Sequence, residues 1–123
     1  MTEEQITFIR EYNELLEVTV EALRYLGSDR TNAGSEMEER VYYDSLLAFL
    51  KIQQMNEALL DIFHDDTEKV QAIASFEVVV HELDKISTEP VHASNEIFQH
   101  HIIPAFEAWK IHLQSHLKTV IFH

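Results

Sequence analysis

The sequence predicts an all-α protein: an up-and-down antiparallel four-helix bundle whose last helix is kinked or broken near Pro104. Three observations carry this. The 123 residues include only two glycines and two prolines, and a chain this short of structure breakers turns seldom. Apolar residues recur at steps of three and four through four segments, about 2–26, 36–63, 67–86 and 90–122, the spacing of a helix with one buried side. The breaks between segments are short, which lays consecutive helices antiparallel. A single domain spanning 1–123 is large enough to bury a core of its own.

In the first segment Ile9, Tyr12, Leu16, Val20 and Leu23 fall on one side, and Glu3, Glu14, Glu17 and Glu21 on the other. Gly27 follows in the position where a left-handed residue ends a helix. The polar stretch from Gly27 to Gly34 has the composition of a surface loop. Ser35-Glu-Met-Glu38 then fits a capping box, the serine oxygen accepting from the third amide and the glutamate reaching back. The second segment carries a stripe of Met37, Val41, Ala48, Ile52, Met55, Leu59 and Ile62, with Phe49 and Phe63 alongside.

His64-Asp-Asp66 interrupts the pattern, and either Asp65 or Thr67 is placed to cap the next helix. The third helix should bury Val70, Ile73, Phe76, Val80 and Leu83. After the Ser87-Thr-Glu-Pro90 turn, with Pro90 suited to a first helical position, the last segment contains Phe98, Ile102, Phe106, Trp109, Leu113, Leu117 and Val120. Pro104 lies inside it. A proline there removes one backbone hydrogen bond and crowds the preceding turn, so a kink or break is expected between His100 and Ile103.

Charge narrows the partners. Nine Lys and Arg against 22 Asp and Glu give a formal −13. Residues 1–66 hold 15 acids and 5 bases, and all eight histidines lie at position 64 or later. Such a field repels nucleic acid and anionic membranes and favours basic partners. The chain has no cysteine, so disulfides, thiolate zinc sites and thiol nucleophiles drop out, and a reducing compartment fits. No apolar run approaches the roughly 20 residues of a membrane span. The start, Met1-Thr-Glu-Glu-Gln, has neither the basic nor the apolar region of a secretory leader. A bacterial cytoplasm is the expected setting.

No enzymatic motif is found. Two glycines cannot furnish a dinucleotide-binding or phosphate-binding loop, and there is no GxSxG elbow. His81-Glu82 begins like a zincin helix, but Lys85 stands where the second histidine belongs. The two Glu-x-x-His pairs of carboxylate-bridged di-iron bundles are not present together.

Two features remain. On the second helix Tyr43, Leu46, Leu47 and Leu50 lie opposite the predicted core stripe, making its middle apolar nearly all round. A helix of that kind is fully buried or meets a partner on its second face. The expected function is therefore a non-enzymatic, acidic protein-binding or regulatory module, self-associating as a homodimer or docking a basic protein, with no cofactor. The alternative is a metal-binding bundle. His112 and His116 share one helix face and are expected to point inward with Phe98, Ala105 and Trp109. Glu77 and His81 on the third helix would complete a site for a divalent transition metal such as zinc.

Overall fold

The computed structural model describes residues 1–28, 35–86 and 95–121. The Gly34 end of the first loop and the turn containing Pro90 lie outside these residues. Helix α1 spans Glu3–Gly27 and α2 spans Glu36–Ile62. The third rod consists of α3 (Thr67–Ala74), α4 (Glu77–Leu83) and a 3₁₀ turn, Asp84–Ile86. The fourth begins with a short turn α5 (Asn95–Ile97), passes through a π-helical turn, Phe98–Ile102, and continues as α6 (Ile103–Ile121). The architecture is the expected all-α four-helix bundle, and no strand occurs among the described residues.

Cross-helix pairs fix the directions. Arg24, Glu17 and Asn13 of α1 meet Glu107, Lys110 and Gln114 of α6 in reverse order, so these helices run antiparallel. The core is built from Ile9, Tyr12, Leu16 and Leu23 of α1, Ile52 and Leu59 of α2, Ile73 and Val79 of the third rod, and Phe98 to Leu117 of the fourth. At its centre four aromatic rings, Phe49, Phe76, Phe106 and Trp109, stack obliquely with centroids 4.6 to 6.3 Å apart. Offset and edge-on contacts of this kind contribute beyond the apolar area they bury.

Several local expectations change. Gly27 does not adopt a left-handed cap conformation; it is the last residue of α1, followed by an extended Ser28. Its missing side chain has another use, because a Cβ there would lie 2.7 Å from Ile103 Cδ1 and 3.3 Å from the Gln99 backbone. Ser35 does cap α2, its hydroxyl accepting from the Glu38 amide at 3.1 Å. The cap of α3 is Asp66 rather than Asp65 or Thr67, accepting from the Lys69 amide at 3.2 Å. Thr2 and Gln5 form a reciprocal capping box at the start of α1.

The largest shift is on α2. Its buried residues are Glu38, Tyr42, Ser45, Phe49, Ile52, Asn56 and Leu59, whereas Met37 is 62% exposed. Alternate steps of four and three define this seam, which is the helix-packing repeat. Polar side chains within it have partners: the Ser45 hydroxyl donates to the Val41 carbonyl at 2.8 Å, and the Asn56 side-chain oxygen accepts from the Tyr12 hydroxyl. Burial pushes that Tyr12 hydroxyl well above the usual tyrosine range.

The third rod breaks at Ser75 and Phe76 without glycine or proline. The Ala72 carbonyl accepts from the Trp109 indole at 3.0 Å and from the Ser75 hydroxyl at 2.7 Å. The Phe76 amide turns instead to the Ile73 carbonyl at 3.2 Å. In the fourth rod Pro104 is accommodated by the π turn, where the Ile103 amide reaches back to the Phe98 carbonyl. One residue is thereby inserted ahead of the proline, which then occupies the first turn of α6, where a missing amide is harmless.

Candidate interaction surface

With the α2 seam occupied by the residues from Glu38 to Leu59, the opposite side of the helix faces solvent. Tyr43, Leu47 and Leu50 are 57%, 63% and 55% exposed. They follow one another at steps of four and three, so they form a second seam about half a turn from the first. Leu46 is half-buried and packs against the core margin. It joins Phe49, Leu50 and Gln53 with Val80 and Leu83 in a shallow apolar groove of about 240 Å³ between α2 and α4. All four residues singled out on the sequence thus lie on one side of α2. Three are open to solvent, and the fourth lines the adjoining groove.

The strip is bordered by charge. Arg40, Asp44, Lys51 and Glu57 are all exposed. Arg40 has a loose contact of 3.8 Å to Glu36 one turn earlier. These four are the charged residues of the segment from Arg40 to Glu57, two of each sign. The middle of this face is therefore electrically balanced on a strongly acidic molecule.

The histidines are arranged differently from expectation. His112 and His116 are adjacent, with ring centroids 4.9 Å apart in an edge-to-face contact. They do not point inward: His112 is exposed and His116 half-buried, while Trp109, Leu113 and Leu117 occupy the core side of α6. Glu77 and His81 are both exposed on α4. Among the described residues no group of three or more histidine and carboxylate side chains converges where a metal ion would sit. The structure thus brings together two of the four candidate ligands.

A polar cluster missed on the sequence joins the π turn to the third rod. Lys85 Nζ lies 2.6 Å from Glu82 Oε2 and 3.4 Å from His101 Nδ1. The Lys85 ammonium holds the Glu82 carboxyl below the usual carboxylate range. The signal was present in the three-residue spacing of Glu82 and Lys85, but His101 reaches them from the π turn of another rod. Its contacts are those of an anchor between two rods.

Fold and surface together define an acidic four-helix bundle with an uncovered apolar strip on its second helix. A family described as "Domain of unknown function (DUF8042)" matches residues 7–112. The chain belongs to that family. No curated protein and no solved structure matches it. No helix among the described residues is long and apolar enough to cross a membrane.

Proposed function

We propose that the protein is a non-enzymatic docking module that works by burying the outer face of α2 against another protein. The observation that carries this is the row Tyr43, Leu47 and Leu50, three large apolar side chains each more than half exposed on successive turns of one helix. Singly exposed apolar residues are ordinary, but a contiguous row bordered by polar groups marks an interaction surface. The balanced charge along its border supports an oriented protein contact. The absence of cysteine suits a cytoplasmic setting, where docking would act by bringing partners together.

A photo-crosslinking amino acid placed at Leu47, in the protein expressed in its native cell, tests the reading. Covalent adducts are expected from that position and not from Glu14, which is exposed on the outer side of α1. Equal labelling at both positions, or no adduct at Leu47, would overturn it.

A further inference from the structure

The last helix carries two imidazoles on a fixed frame. His112 and His116 lie four residues apart on α6, a spacing that puts both on one side of a helix. Between and beyond them Leu113 and Leu117 are buried in the core, 0% and 1% exposed. On the side facing α1, Lys110 Nζ lies 3.0 Å from Glu17 Oε1, and the Gln114 side-chain amide donates to Asn13 Oδ1 at 2.6 Å. Trp109 is tied to the third rod through its indole. Held on three sides, α6 neither slides nor turns about its axis, so the two histidines keep their spacing whether or not they hold a ligand.

The separation of the rings is that of two ligands to one ion. A transition metal sits about 2.0–2.1 Å from an imidazole nitrogen and therefore about 3.2 Å from the ring centre. For ligand–metal–ligand angles from about 90° to about 109°, the two ring centres are then about 4.5–5.2 Å apart. The His112 and His116 centroids are 4.9 Å apart, with the ring planes at 82°. Rotation about the ring torsion, which is broad for histidine, is the adjustment that turns one nitrogen of each ring to the shared point. Two other histidines are engaged elsewhere: His64 Nδ1 meets the Asp61 carbonyl at 2.8 Å, and His101 Nδ1 lies 3.4 Å from Lys85 Nζ. Among the described residues the ring nitrogens of His112 and His116 have no such contact.

We infer that His112 and His116 form a surface chelate for a divalent transition metal ion such as zinc, with its remaining coordination positions open to water. Imidazole suits zinc, copper and nickel, whereas magnesium and calcium prefer oxygen. The formal charge of −13 raises the local concentration of any cation. No third histidine or carboxylate converges on the pair among the described residues, so the ion would exchange with solvent rather than staple the core. Two ligands on one frame make the second attachment intramolecular, which strengthens binding by about 10²–10⁴ over a single ligand. The site lies on α6, away from the α2 strip, and stands independently of the docking reading. It also narrows the four-ligand expectation to two, since Glu77 and His81 are exposed on another rod.

Calorimetric titration of the untagged full chain with zinc chloride, in excess magnesium chloride, tests the inference. Magnesium occupies surface carboxylates without competing for imidazole. Saturable zinc binding is expected for the parent. His112→Asn and His116→Asn are each expected to weaken it on the order of a hundredfold, and His81→Asn to leave it unchanged. Zinc should raise the melting temperature of the parent and not that of His112→Asn, because an ion held by the folded pair stabilises by mass action. His112 is exposed, so its variant should keep the parent circular dichroism spectrum. A parent that shows no saturable zinc binding in magnesium would overturn the inference. So would a His112→Asn protein that binds zinc as tightly as its parent, or a His81→Asn protein that loses binding to the same degree as His112→Asn.

Discussion

Gly27 shows how one residue can be read correctly as important and wrongly as to cause. Its place after a long amphipathic run suggested a left-handed cap. The fold instead uses the absent Cβ to let α1 touch the π turn of the fourth rod, a long-range contact that no local pattern announces. Replacing a helical glycine with alanine normally stabilises by about 1 kcal/mol. Here the added methyl meets the Gln99 backbone and the end of Ile103, and overpacking of that kind costs about 1–3 kcal/mol. Gly27→Ala is therefore expected to lower the melting temperature. Adding Ile103→Val removes the closest atom, so the double variant should lose less stability than the two single changes summed. A Gly27→Ala protein more stable than its parent would refute this account of the contact.

The four rods were legible because amphipathic spacing persists over many turns and breakers are concentrated between them. What the pattern hid on α2 was the exact side turned inward. The true seam contains Glu38, Ser45 and Asn56, and a search for apolar residues selects their neighbours instead. A buried polar residue is tolerated when a partner is supplied, as Tyr12 does for Asn56, and that partner is 44 positions away. The break in the third rod was invisible for the same reason, since the Ala72 carbonyl is engaged by Trp109 from another rod. Trp109→Phe removes that indole donor and some packing volume. It should destabilise the bundle by about 2 kcal/mol in urea titrations, from one lost buried hydrogen bond and a smaller ring. An unchanged midpoint would show that the break owes nothing to Trp109.

For the whole molecule, the formal charge of −13 initially suggested attraction to a basic partner. The balanced segment from Arg40 to Glu57 changes the emphasis, because the only long apolar strip identified on α2 lies where the acid excess is locally cancelled. The candidate residues of that strip were readable in advance: their distance from the core follows from helical geometry even when the core side is misjudged by part of a turn. The metal alternative drew on spacing within single helices. Spacing placed His112 beside His116 but could not tell that Glu77 and His81 would stand in solvent on another rod.

The most direct test of α2 as an association surface compares the adducts formed in the native cell by a photo-crosslinking amino acid at Leu47 in the parent and in a Tyr43→Glu/Leu50→Glu variant. Both substituted positions are exposed, so the fold's stability should move by no more than about 0.5 kcal/mol at each. The account predicts adducts from Leu47 in the parent that are lost in the variant. Equal adduct yields from two equally folded proteins would contradict it.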